Sequence, residues 1–167
     1  MGAVRNKLLA LDANVLIDLA AGEEFALDFI AVGGERGYSM VTPPTVVREL
    51  LHLSEHGGAR RKLYGTALGR MLDWQITPFN IDPVGNGICH LFSEKIRQAG
   101  ILDEHEENDG LILAETAYRG IPVLITSDRH LLNITDQHLP ALHIALTESG
   151  LDTVSPMSPR SFLRILG

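Results

Sequence analysis

Leu8-Leu9-Ala10-Leu11-Asp12-Ala13-Asn14-Val15-Leu16-Ile17-Asp18 is the stretch on which the fold turns. A short apolar run ends on a carboxylate. An amide follows two residues later, and the apolar spacing then suits a helix. Residues 8–11 read as a buried strand with Asp12 at its carboxyl end, where ligands bind in open α/β sheets. The same grammar recurs downstream. Ile121-Pro122-Val123-Leu124-Ile125-Thr126 is the clearest strand in the chain, and Ser127-Asp128-Arg129-His130 opens a short helical turn after it. In a parallel sheet these strands point the same way, so Asp12 and Asp128 are expected to share an edge.

Elsewhere strands alternate with helices, which predicts a mostly parallel sheet covered on both faces. Helices are expected over residues 12–21 and 23–32, the second ended by Gly33-Gly34. Residues 38–41 form a short strand. Thr42-Pro43-Pro44-Thr45 stops it and starts a helix, with Thr42 or Thr45 as the cap, and Gly57-Gly58 closes that helix. A further helix is expected over residues 59–72, then a strand over residues 75–81 placed at an edge by Pro78. Pro83-Val84-Gly85-Asn86-Gly87 reads as a turn, since it lacks the third glycine of a dinucleotide loop. Helices follow over residues 88–100 and 109–119, separated by the acid-crowded loop Asp103-Glu104-His105-Glu106-Glu107-Asn108. Beyond the polar turn at residues 135–138, residues 139–146 read as a short strand and residues 158–166 as a last helix. There is no internal repeat, low-complexity segment or linker, and 167 residues suit a single domain over residues 1–167.

Composition narrows the function classes. A hydrophobic content of 45% with 21% charged residues is that of an ordinary globule. No apolar run approaches the roughly 20 residues that span a bilayer. The amino-terminal seven residues are too short for a signal peptide and lack the Ser or Thr of a myristoylation signal, so Asn133-Ile134-Thr135 is not expected to meet glycosylation machinery. Cys89 is the only cysteine, which excludes an internal disulfide and a cysteine-rich zinc site. The expected compartment is the cytoplasm. A net charge of −7 argues against a general nucleic-acid coat. It does not exclude a nucleic-acid enzyme, because acids gathered around metal ions count as acidic only until the metals bind. Arg60-Arg61-Lys62 is the local exception, either a solvated helix face or a phosphate-contacting patch.

Four acids deserve comparison: Asp12, Glu49, Asp109 and Asp128. Singly, each has a plain structural role, since Asp12, Asp109 and Asp128 can cap helices and Glu49 can be a half-exposed helix residue. As a set they point further. Carboxylates held together raise each other's pKa unless a cation is present. Hard oxygen donors without cysteine suit Mg²⁺ or Mn²⁺, which activate water and stabilise both oxygens of a phosphodiester displacement. Asn14 and Thr126 or Ser127 are candidates to hydrogen-bond the ligands from behind.

With these pieces the chain resembles the PIN-domain nucleases. The matching segments are Leu11 to Asp18, Val46-Val47-Arg48-Glu49-Leu50, Asn108-Asp109-Gly110-Leu111-Ile112-Leu113-Ala114 and Ile125-Thr126-Ser127-Asp128, in the family's order and spacing. The resemblance implies a three-layer α/β/α sandwich and metal-dependent cleavage of RNA. Asp12, Glu49, Asp109 and Asp128 would then be the acidic ligands, with Thr126 and Asn14 as supporting polar residues. Many such small proteins are similar to the toxin half of a toxin–antitoxin pair of the VapC type, and commonly form homodimers. Family members often carry a further acid just past the position of Asp128, where this chain has His130.

Two rival readings remain at this level. One is a non-catalytic RNA- or protein-binding module on the same fold. The other rests on His52-Leu53-Ser54-Glu55-His56, which matches the H-x-x-E-H pattern of inverted zinc peptidases. His52 and His56 are spaced to share one metal, but a third ligand must come from elsewhere.

Overall fold

The computed structural model describes residues 7–167; the reading of the amino-terminal residues as no leader falls outside them, Lys7 apart. Strands β1 (Lys7–Leu11), β2 (Tyr38–Thr42), β3 (Ile76–Pro78), β4 (Val123–Ile125) and β5 (Ser155–Met157) form one all-parallel sheet in the order β3-β2-β1-β4-β5. Helices α1 (Ala13–Ala21), α2 (Glu24–Glu35), α3 (Pro44–His56), α4 (Arg61–Gly69), α5 (Pro83–Gln98), α6 (Glu107–Tyr118), α7 (Arg129–Asn133), α8 (Leu139–Glu148) and α9 (Pro159–Leu166) complete the expected three-layer α/β/α architecture. Among the described residues no helix is long and apolar enough to cross a membrane.

β1 is central because it is apolar on both faces. Leu9, Ala10 and Leu11 are all buried, the near-continuous hydrophobic run of a strand covered on both sides. Fully burying each Leu is worth roughly 1.5–3 kcal/mol. On one side Leu9 pairs with Met40 and Ala10 with Val41; on the other Leu11 pairs with Ile125. The order therefore reverses between β1 and β4, the switch point at which α/β sheets open a crevice. β3 is an edge strand, with Pro78 in register with Thr42, as Pro78 led one to expect.

Several local expectations are corrected. α2 does not stop at Gly33-Gly34 but runs to Glu35; Gly33 is buried against β2, and a Cβ there would collide with Met40 Cε. Residues 83–87 are not a turn but the first turns of α5. Asp82 Oδ1 caps this helix by accepting from Gly85 N at 2.6 Å, and Pro83 suits the first helical position. Gly85 lies under the Tyr118 ring, where a Cβ would not fit. Residues 139–146 form helix α8 rather than a strand; Leu142, Ala145 and Leu146 are its buried stripe, at helical spacing. The residues just before it form a π-helical segment, Ile134–His138. The helix expected over residues 59–72 is shorter, a 3-10 turn at Gly58–Arg60 followed by α4, and the strand expected over residues 75–81 is reduced to β3. β5 lay outside every predicted strand.

Neither Thr42 nor Thr45 caps α3, whose N-cap position is Pro43. Thr42 Oγ1 instead donates to the Leu11 carbonyl at 3.0 Å. The cap comes from another helix. Glu115 of α6, only 1% exposed, accepts from Thr45 N at 2.9 Å and from Thr45 Oγ1 at 2.8 Å. A buried carboxylate thus ties the start of α3 to α6, with the helix dipole in its favour.

α6 is buried continuously from Asp109 to Ala117, and it approaches α5 closely at Gly110, where a Cβ would collide with Ser93 Oγ. In an exposed helix Gly→Ala stabilises by roughly 0.5–1 kcal/mol. Here overpacking wins: Gly110→Ala is expected to destabilise the protein by about 1–3 kcal/mol, read as a lowered midpoint in denaturant unfolding with an unchanged slope.

Candidate functional site

The carboxyl ends of β1 and β4 are laced together. Asp12 N donates to the Ile125 carbonyl at 2.9 Å. Asp12 Oδ1 accepts from Ala13 N at 2.7 Å, and Oδ2 accepts from Thr126 Oγ1 at 2.7 Å. Thr126 Oγ1 in turn accepts from Asp128 N at 3.0 Å. One buried threonine hydroxyl therefore connects two of the four acids. Asp128 also caps α7, its Oδ1 accepting from His130 N at 2.7 Å. The capping roles of Asp12 and Asp128 are real, and they orient the carboxylates rather than compete with a site. Asp109 caps nothing; it lies inside the first turn of α6.

Asn14 Oδ1 accepts from Ser127 N at 3.1 Å, pinning the loop after β4 to α1. Of the supporting polar residues, Thr126 touches an acid directly. Asn14 holds backbone, and Ser127 Oγ reaches Asp18 rather than one of the four acids.

Asp109 is 9% exposed, and its Oδ2 is buried with no hydrogen-bond donor near it. Three of the four acids have raised pKa values. Burial, with the charge of Asp128 alongside, raises Asp12 to about 6 despite the hydrogen bonds from Thr126 and Ala13. Burial and the charges of Asp12, Asp128 and Glu106 raise Glu49 to about 7. Burial, then Asp12, Asp128 and Glu106, raise Asp109 to about 9. Glu106 is thus a carboxylate of this neighbourhood that sequence reasoning left inside an undifferentiated acidic loop. Its signal was its place one turn before Asp109 on the same helix start. His130, standing where relatives often have an acid, lies between Asp103 Oδ2 and Glu106 Oε1, at 3.3 Å from each.

The carboxylates share one field without converging on one point. Among the described residues, no three His, Cys, Asp or Glu side chains stand so as to hold a metal ion. His52 and His56 do not splay around an ion either; their rings stack at 4.7 Å and 24°. Arg60, Arg61 and Lys62 are exposed. Burial and the charge of Glu23 raise the pKa of Asp18 on α1, opposed more weakly by the Ser127 hydrogen bond and the charge of Arg60.

The sheet and its acidic switch point define a small α/β/α protein with carboxylates gathered at the ends of its two central strands. The family model of the PIN domain matches residues 9–137, a span that takes in all four acids. The chain belongs to the PIN-domain family, a family of nucleases. It is also similar to solved structures. A VapBC2 structure from Rickettsia felis, bound to a DNA fragment from the promoter, superposes with a TM-score of 0.63 at 10% identity, covering 90% of this chain and 98% of that one. A VapBC-1 structure from nontypeable Haemophilus influenzae superposes with a TM-score of 0.57 at 15% identity, covering 92% and 98%. At such identities the likeness is one of fold. No curated protein sequence matches the chain.

The raised acids set a pH dependence. Their folded values lie above the unfolded ones near 4, so the native state holds protons that the unfolded chain releases. Metal-free stability is fully present below about pH 4 and is lost as pH rises through about 6, 7 and 9. Asp109→Asn is expected to flatten this decline and raise Tm at pH 8–9, by about 2–4 °C for each kcal/mol of repulsion removed. Thermal melts across pH in chelator check it; a wild-type Tm that climbs from pH 5 to 9 would contradict it.

Proposed function

We propose that this protein is a single-domain, metal-dependent endoribonuclease that cleaves RNA phosphodiester bonds in the cytoplasm. The observation that carries this reading is the buried, unpartnered Oδ2 of Asp109, in a neighbourhood where burial, and then the charges of Asp12, Asp128 and Glu106, raise its pKa. Burying an unpaired acceptor costs about 1–3 kcal/mol, a cost a cation would offset. A module that only binds has no such need for the full set of acids.

The donor set fits a hard divalent ion, Mg²⁺ or Mn²⁺: carboxylate oxygens, no thiolate, and one orphaned oxygen. Asp12, Glu49, Asp109 and Asp128 would hold it. What a bound cation supplies is charge neutralisation, polarisation of the phosphodiester and activation of water. The chain does the rest. Thr126 and Ala13 N hold Asp12 in one orientation, and the Thr126 hydroxyl also fixes the backbone of Asp128. Asn14 keeps the Ser127 loop against α1. The Glu115–Thr45 tie sets α3, and with it Glu49, against the helix that carries Asp109. Arg60, Arg61 and Lys62 would meet the RNA backbone on the α1 side.

The neighbours described as VapBC structures support a further reading of the protein as the toxin of a toxin–antitoxin pair, working as a homodimer and held by an antitoxin protein.

The test is incubation of RNA with the protein and Mg²⁺ or Mn²⁺, with and without chelator. Asp12→Asn and Asp109→Asn are expected to abolish cleavage while keeping the fold, and Thr126→Val to lower metal-dependent activity about 10–100-fold. Saturating Mn²⁺, at about 100 times Kd, is expected to stabilise the wild type by roughly 2.7 kcal/mol and Asp109→Asn far less. Cleavage that ignores chelator and substitutions alike would refute the reading.

A further inference from the structure

One feature of α3 is left over by the acids. Beyond Glu49 the helix presents Arg48 and His52, four residues apart and so on one face, to a groove between α3, α5 and α6. The groove has a volume of about 450 Å³, and its walls include Arg48, Glu49, His52, His90, Asn108 and Leu111. That size lies within the range of small-ligand pockets. Because Glu49 belongs to the wall, the groove opens directly off the acidic centre.

Its chemistry is specific. Arg48 is placed rather than loose: Nη2 donates to Thr45 Oγ1 at 2.7 Å, and that hydroxyl is itself held by Glu115. A guanidinium has five donors, so most of this group remains for an anion. His52 stacks on His56, which makes a two-ring platform beside the groove. Planar side chains of this kind, histidine included, receive unstacked bases. Leu111, 4% exposed, is the apolar floor. Asn108, exposed in the wall, carries an amide donor and acceptor suited to a base edge. His90 stands across from α3, with Nδ1 at 4.0 Å from Glu107 Oε1.

We propose that this groove is a nucleotide subsite: it seats one unpaired base of the RNA, stacked against His52, with the neighbouring phosphate on Arg48, next to the bond presented to the acids. The assignment rests on the nuclease reading above. It answers a difficulty of that reading, because a chain of net charge −7 repels polyphosphate at long range and needs built contacts at short range. A single platform in a pocket of this size takes a splayed base and not a base pair. The pair of histidines that resembled a peptidase motif thereby acquires a role that needs no metal.

The experiment measures binding, not cleavage. A fluorescein-labelled, single-stranded RNA hexamer of mixed sequence is titrated against Asp12→Asn protein, which cannot cut it. His52→Ala and Arg48→Ala are each added to that background, with thermal melts confirming that they fold. Each is expected to weaken binding about tenfold, and Arg48→Ala is expected to reduce the salt dependence as well. In parallel, the ring resonances of His52 and His90 are expected to move on titration with the hexamer, while His143 on α8 stays put. Unchanged affinity in both variants, with His52 and His90 unmoved although RNA binds, overturns the subsite and leaves the nuclease reading standing. A single-stranded DNA hexamer of the same sequence is titrated as well; movement of His52 and His90 with the DNA and not with the RNA overturns the assignment to RNA. RNA that neither binds nor is cut by the metal-loaded wild type removes both readings together.

Discussion

A single backbone hydrogen bond, Asp12 N–H to the Ile125 carbonyl at 2.9 Å, marks the constraint on which the rest of this molecule depends. It extends the β1–β4 ladder one residue past Leu11 and Ile125, just where the two chains turn away into helices. Register there is unforgiving, because side chains alternate faces and a slip of one residue reverses them all. With register set, the Thr126 hydroxyl lies between Asp12 and the backbone of Asp128. Two acids remote in sequence become neighbours through a group that donates to one and accepts from the other.

The opposite wall is assembled by a different force. Asp109 and Glu49 come from α6 and α3, and nothing in either helix alone sets their relation. The buried carboxylate of Glu115 does so by taking both the backbone N–H and the hydroxyl of Thr45. The close approach of Gly110 to Ser93 seats α6 against α5. Packing thus buries carboxylates near one another at an energetic cost, and burial first, then the neighbouring charges, raises the proton affinities of Asp12, Glu49 and Asp109. His130 moderates the rim by standing between Asp103 and Glu106.

Much of the frame was legible in the residues. The apolar runs at residues 8–11 and 121–126 announced central parallel strands, Pro78 announced an edge, and Asp12, Glu49, Asp109 and Asp128 fell at positions that the fold brings into one field. Misreadings came where a local signal had two meanings. Glycines at 33–34 and 85–87 look like breaks, yet they sit inside helices, Gly33 facing Met40 and Gly85 facing the Tyr118 ring where a Cβ would collide. Residues 139–146 are apolar enough for a strand, and only their spacing of three and four marks α8. β5 is three residues with a proline in the middle, too short to carry a period; it exists because β4 offers it an edge.

Sequence by itself determined the alternation of strands and helices, the hard-oxygen character of the acids and the exclusion of an internal disulfide and a cysteine-rich zinc site, because these follow from residue type, count and short-range period. Tertiary structure alone decided that Thr126 joins Asp12 to Asp128, that Glu115 rather than Thr42 or Thr45 caps α3, that Glu106 enters the acidic field, and that Arg48 and His52 line a groove beside Glu49. Each of these pairs residues far apart in the chain, or turns on which face a helix presents. Such contacts are selected by how the layers pack and not by any preference of the residues themselves.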